Sequence, residues 1–258
     1  SVVRLQLLPQ SAGSNGKARE VALVRNEIKL EDQAAKASVI DKMPNAPGIR
    51  VGVIELPAFY RDFEAETRGK ADFRSTTRDV RRLVTELVAQ GVDGIVIDLR
   101  GNGGGSLAEA TALTGLFIDT GPVVQVKDAF GKVAVERDPE PGVAYSGPLA
   151  VLVDRDSASA SEIFAGAIQD YGRGLVIGEP TFGKGTVQTL VDLNRYVPGD
   201  SNDLGRLRLT MAEFFRISGG STQLKGVEPD IRFPSGDDIG DYGERSLTNP
   251  LPWARIDA

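Results

Sequence analysis

The spacing of apolar positions changes near residue 49. Before it, residues 2–8 and 20–25 alternate apolar and polar side chains on either side of a polar, Gly/Ser/Asn-containing segment at 10–17. A period of two marks a strand, and the intervening residues are turn formers, so a β-hairpin is predicted. Two strands alone are marginal in water, so this hairpin is expected to belong to a larger sheet or to pack on the next part of the chain. Residues 31–48 are mixed and end in Met43-Pro-Asn-Ala-Pro-Gly48, which reads as a linker.

From residue 49 onward, strands alternate with helices. Residues 49–56 read as a strand closed by Pro57. Residues 76–90 give the clearest helix: Val80, Leu83, Val84, Leu87 and Val88 recur at helical spacing, and Gly91 stops it. The runs GIVIDL at 94–99 and LAVLV at 149–153 read as buried strands. Further helices are predicted at 106–117 and 159–171, and further strands at 123–126, 175–177, 186–193 and 206–215. Residues 235–258 are polar and proline-bearing and read as a surface tail. The order predicts an α/β fold for residues 49–234, a mixed sheet covered by helices, with a small N-terminal β remnant at 1–30. In such folds sites collect where strands end and helices begin. The loops at 100–106, 154–159 and 178–185 each come directly after a predicted strand.

Composition narrows the chemistry. The 258 residues include no histidine and no cysteine. A Ser-His-Asp or Cys-His relay, a His- or Cys-ligated metal, a disulfide and a thiol redox centre are therefore excluded. A general base must be Lys, Asp, Glu, Tyr or a terminal amine. The chain carries 30 Lys+Arg against 36 Asp+Glu, a formal net charge of −6, which argues against a nucleic-acid partner. No apolar run approaches the ~18 residues of a membrane span. The chain opens without Met and directly into strand-like alternation, so it is read as a fragment of a longer protein.

The first loop, Gly101-Asn-Gly-Gly-Gly-Ser106, has four glycines in five positions, more than a tight turn needs. Backbone N–H groups on such a loop can hold an anion or a developing oxyanion. The second, from Asp154 to Ile163, offers Ser157, Ser159 and Ser161, of which Ser159 and Glu162 fit a capping box. A serine at a strand-to-helix turn also fits nucleophile-elbow logic, with the N–H of Ala160 free to meet an oxyanion. The third, from Gly178 to Thr186, fits G-x-x-x-x-G-K through Lys184, but Gly185 stands where a phosphate loop needs Ser or Thr, and a strand rather than a helix is predicted next.

Lys184 is thus open to three readings: a solvated loop lysine, a displaced phosphate-loop lysine, or the base of a Ser-Lys pair. The last needs desolvation, because a lysine ordinarily titrates near ~10.4. Gln188, four residues on and on the same side of a strand, could orient a neutral amine. Asp170 lies 11 residues after Ser159, on the same helix face, where it would either organise the site or serve as a polar residue of the last turn. A non-catalytic module that offers a sheet edge to an extended peptide is the third functional class.

At these residues the sequence resembles the C-terminal processing, or tail-specific, serine peptidases. The blocks that carry the likeness are DLRGNGGG (98–105), DRDSASASEIFAGAIQDYGR (154–173), GEPTFGKGTVQ (178–188) and KGVEPDI (225–231), with the serine 25 residues before the lysine. The large periplasmic type is most similar. The resemblance implies an α/β/α sandwich with a ClpP/crotonase-like core, Ser159 as nucleophile, Lys184 as base and Gln188 orienting it. It further implies oxyanion-hole N–H groups on Gly105 and Ala160, a supporting Asp170, and no metal or organic cofactor. Residues 1–30 would be the last portion of a PDZ-like domain. Implied partners are polypeptides with unstructured apolar C-termini and an adaptor protein; the implied location is the bacterial periplasm.

Overall fold

A computed structural model of the chain describes residues 2–8, 16–24, 34–70, 73–197, 203–234 and 242–258. Most of the turn expected at 10–17, the end of the second strand at Arg25, and the first residues of the segments expected at 31–48 and 235–258 lie outside the described residues. The chain divides into two compact units, residues 1–32 and 33–258.

In the first unit, β1 (Val2–Leu7) and β2 (Arg19–Val24) pair antiparallel, with Val2 opposite Val24 and Leu7 opposite Arg19. This is the predicted hairpin. An Arg4–Glu20 ion pair of 2.9 Å crosses it, and nearly every residue of both strands is exposed.

The second unit is built on a six-stranded mixed sheet. Strands β4 (Val51–Glu55), β5 (Gly94–Asp98), β8 (Leu149–Val153), β9 (Leu175–Gly178) and β12 (Ile231–Arg232) are parallel, and β3 (Lys36–Ile40) adds antiparallel to β4. The spatial order is β12-β9-β8-β5-β4-β3. Residues 36–40, expected as linker, are therefore an edge strand. Its mixed, largely exposed side chains leave no alternating pattern to read.

Alternate positions of the central strands form one buried face, with Ile54, Ile95, Ile97, Val151 and Val153 closed to solvent. Helix α2 (Thr76–Ala89) packs close to it: a Cβ on Gly52 would come within 2.8 Å of the Leu87 Cδ1. Helix α3 (Leu107–Thr114) touches both α2 and α4 (Ala160–Asp170). The rings of Phe59, Phe117 and Phe164 close the core between them, with centroids 6.0–6.4 Å apart. A short helix, α1 (Phe63–Thr67), lies on the connection from β4 to α2.

A second, antiparallel sheet has the order β10-β11-β6-β7, formed by β6 (Gly121–Asp128), β7 (Val133–Asp138), β10 (Thr186–Asp192) and β11 (Arg206–Phe215). Strand β7 was not predicted; it is exposed along almost its whole length, so no buried face imposes a pattern on it. Residues 242–258 are not a free tail. The Ser221 N–H donates to the Ala254 carbonyl at 3.1 Å, the Ile256 N–H to that of Gly219 at 2.9 Å, and the Trp253 indole N–H to that of Ser221 at 2.8 Å. Backbone bonds hold this segment, and they have no signature in side-chain polarity.

The start of α3 is fixed by Glu109, which is fully buried. Its carboxylate pairs with Arg61 at 2.7 Å and accepts from the Ser75 hydroxyl, the Thr77 N–H and the Thr77 hydroxyl at 2.7–2.8 Å. Glu109→Ala leaves the buried Ser75 hydroxyl and the half-buried Thr77 N–H and hydroxyl without this acceptor, while Arg61 keeps Glu66, and is expected to lower the unfolding free energy by about 3 kcal/mol. Urea denaturation monitored by circular dichroism measures this.

Candidate active site

The three glycine- and serine-rich loops converge. After β5, Asn102 is buried and holds its loop in place: its side-chain amide donates to the Leu56 carbonyl at 2.7 Å and its side-chain oxygen accepts from the Gly104 N–H at 2.9 Å. The Asn102 carbonyl reaches across to the serine loop, accepting from the Ala158 N–H at 3.0 Å and the Ser161 hydroxyl at 2.9 Å. Two glycines are required by this approach. Gly104 has φ +103°, and a Cβ there would lie 2.7 Å from the Ala158 oxygen and 2.9 Å from the Ser159 Cβ. Gly105 has φ +147°, and a Cβ there would collide with the Phe59 carbonyl.

The choice among the three serines is made by their partners. The buried Ser157 hydroxyl donates to the Leu99 carbonyl at 2.8 Å, and the buried Ser161 hydroxyl to that of Asn102. Both serve to bind the loops together. Ser159 is half-buried and lines an open cavity. Its backbone has φ +58° and ψ −110°, a region that non-glycine residues rarely occupy. A serine held in this strained turn between β8 and α4 has the geometry of a nucleophile elbow.

The loop of Lys184 is attached to the same turn. The Phe182 N–H donates to the Ser157 carbonyl at 3.0 Å. Glu162, fully buried on the first turn of α4, joins the two loops through its carboxylate. That carboxylate accepts from the Ser159 N–H at 2.7 Å, the Gly183 N–H at 2.7 Å, the Lys184 N–H at 3.0 Å and the Thr181 hydroxyl at 2.6 Å. The S-x-x-E pattern showed the first of these bonds; the other three were not legible. Burial pushes the Glu162 carboxyl from 4.5 up to about 7, against the pull of its four donors.

These bonds exclude the phosphate-loop reading. The N–H groups of Thr181, Phe182, Gly183, Lys184 and Gly185 are all taken by protein acceptors, the last by the Gln223 side chain at 2.8 Å. Strand β10 comes next, not a helix. Gly185 replaces the expected hydroxyl because a Cβ there would lie 2.7 Å from the Gln223 nitrogen and the Ser221 Oγ.

Ser159, Ala160, Gly105, Lys184 and Gln188 line one cavity of about 430 Å³. Lys184 is half-buried, and Gln188 is exposed at a bulge in β10. No hydrogen bond joins the Ser159 hydroxyl, the Lys184 amine and the Gln188 amide among the described residues. The N–H groups of Gly105 and Ala160 take no acceptor among those residues. Asp170 is elsewhere. Its carboxylate receives a two-pronged bond from Arg216, at 2.7 and 2.9 Å, and lines a separate cavity. A separation of eleven residues keeps Asp170 on the same helix face as Ser159 but rises about 16 Å along the axis, so Asp170 cannot support the site by direct contact.

Residues 50–233, well over half of the chain, match Peptidase family S41. The chain belongs to that family. It is 45% identical over 98% of its length to a tail-specific protease of Haemophilus influenzae, of which it covers 34%. It is 29% identical to a chloroplast C-terminal processing peptidase of Tetradesmus obliquus, over 89% of this chain and 46% of that protein. Its fold is similar to that of a photosystem II D1 C-terminal processing protease, with a TM-score of 0.65 and 30% identity over 90% of this chain and 55% of the other. The likeness seen in the motifs is thus borne out, and the mixed α/β fold is the family's. The chain spans between a third and somewhat over half of the length of these proteins.

Glu162 gives the site a pH dependence. Its acid form is favoured by folding, so its contribution to stability is present below pH 4.5 and is lost as pH rises through about 7. Its four donors, by contrast, suit the ionised form, so catalysis is expected to rise over the same interval as the loops tighten. Urea denaturation across this range checks the first: the unfolding free energy should fall between pH 4.5 and about 7. Glu162→Gln is expected to flatten the slope of unfolding free energy and to lower turnover by about tenfold to a hundredfold through displaced loops.

Proposed function

We propose that this chain is the peptidase core of a serine endopeptidase using a Ser159–Lys184 dyad. The observation that carries the reading is the shared cavity lined by Ser159, whose hydroxyl donates to no carbonyl among the described residues as those of Ser157 and Ser161 do, by the lysine, and by two residues whose N–H groups meet no acceptor among the described residues. Uncharged Lys184 takes the proton of Ser159 as Oγ attacks a peptide carbonyl. The Gly105 and Ala160 N–H groups receive the oxyanion. The Lys184 ammonium then protonates the departing amine, and water, deprotonated by the same amine, hydrolyses the acyl-enzyme. Gln188 orients the lysine once substrate covers the cavity.

The substrates we propose are proteins with unstructured apolar C-termini. Support comes from the likeness to tail-specific proteases and from the apolar side chains of Leu107, Ile163, Leu190 and Phe214 around the cavity. Residues 1–30 are read as the last part of a PDZ-like domain, an adaptor is expected, and the bacterial periplasm is the proposed location; all three rest on the resemblance. Among the described residues no helix is long and apolar enough to cross a membrane.

Wild-type protein incubated with an unstructured reporter ending in apolar residues is expected to yield internal cleavage products by mass spectrometry. Ser159→Ala and Lys184→Ala should each reduce cleavage by at least about a thousandfold while leaving thermal unfolding within a few degrees of wild type. Cleavage that persists in Lys184→Ala removes the proposed base. Peptide binding without any cleavage by wild type favours the non-catalytic module.

A further inference from the structure

Beyond Lys184, the cavity beside Ser159 is lined by one other charged residue, Arg208, and by no acidic residue among those described. Arg208 lies on β11 directly opposite Leu190 of β10. It is exposed and makes no ion pair or hydrogen bond with the described residues. The nearest acid in the register, Asp192, stands two positions beyond Leu190 opposite Arg206, and its side chain already accepts the Asn194 N–H at 3.0 Å. If Lys184 works as an uncharged amine, Arg208 is the one permanent charge among the described residues of the cavity.

We propose that Arg208 is a specificity-determining residue that reads a carboxylate on the bound polypeptide; this rests on the proteolytic reading of the site. A guanidinium offers a planar, two-pronged donor set that fits a carboxylate, and the cavity holds no acidic side chain among the described residues to compete for it. A chain of net charge −6 repels an anionic peptide at long range, so a local cation decides whether such a segment can stay. Strand β10 is an edge strand along this cavity, and Leu190 is four positions past Thr186. At ~3.3 Å per residue this is about 13 Å, so an extended peptide laid along β10 with its scissile bond level with Thr186, two residues from Lys184, carries a residue about four positions away to Leu190 and Arg208. The substrate class is therefore polypeptide with an acidic side chain, or its own free α-carboxylate, at about that distance from the scissile bond.

The test uses one unstructured reporter with a fixed cleavage site. It carries Glu or Gln about four positions to either side, and each version is made as free acid and as C-terminal amide. Wild type is expected to favour a carboxylate-bearing peptide by about tenfold in kcat/KM. Arg208→Gln should collapse that ratio toward one, and Arg208→Lys should keep part of it. A ratio that tracks the Glu/Gln exchange identifies a side-chain carboxylate, and one that tracks acid against amide identifies the chain terminus. No preference in wild type, or a preference that survives in Arg208→Gln, overturns the proposal. Binding of the same peptides to Ser159→Ala protein, with and without Arg208→Gln, reads the ratio without turnover. Absence of any Ser159-dependent cleavage sinks the proteolytic reading, whereas equal binding of charged and uncharged peptides sinks the role of Arg208.

Discussion

The carboxylate of Glu162 draws donors from both sides of a cavity, and the candidate site depends on that meeting. One loop supplies the Ser159 N–H; the other supplies the Thr181 hydroxyl and the N–H groups of Gly183 and Lys184. Burying a carboxylate costs several kcal/mol unless its oxygens are fully met. Here they are met by the two segments that carry the serine and the lysine, so the cost rises sharply if either moves. The arrangement therefore makes separation of those segments unfavourable, without any direct bond between the side chains they carry.

Other contacts reinforce the same junction. Asn102 ties the glycine loop to the serine loop through its carbonyl, and the Phe182 N–H ties the lysine loop to Ser157. Ser157 and Ser161 turn inward, bonding to the Leu99 and Asn102 carbonyls at the end of β5 and the loop after it, and leave Ser159 in the cavity. The strained backbone at Ser159 persists because its neighbours on each side are fixed in this way. The parallel strands matter chiefly because β5 and β8 are adjacent, which brings together the loops at their C-terminal ends.

The parts of this picture legible in the sequence are those with a side-chain period or a dense local motif. The helix at Thr76–Ala89 and the central strands could be read from apolar spacing. The three loops could be read from glycine excess, crowded serines and a lysine between glycines. Strand β7 and strand β3 were missed because most of their residues are exposed and neither carries a one-sided apolar pattern. For Asp170 the helical phase left two roles open, and the structure shows the polar residue of the last turn, bonded to Arg216 in a separate cavity. Glu162 was seen only as a cap, since three of its four donors come from residues 19 to 22 positions later. An acidic residue in a run otherwise rich in Ala, Ile and Phe was the available hint that a buried partner set awaited it.

The central claim is that the hydroxyl of Ser159 is made nucleophilic by Lys184. Time-resolved labelling with a serine-directed phosphonylating probe, with the adduct mapped by peptide mass spectrometry, tests it most directly. The adduct is expected on Ser159, and its rate of formation should fall by about a hundredfold or more in Lys184→Ala, the range a positioned general base contributes. An adduct on another residue, or a rate at Ser159 that does not respond to Lys184, would contradict the account.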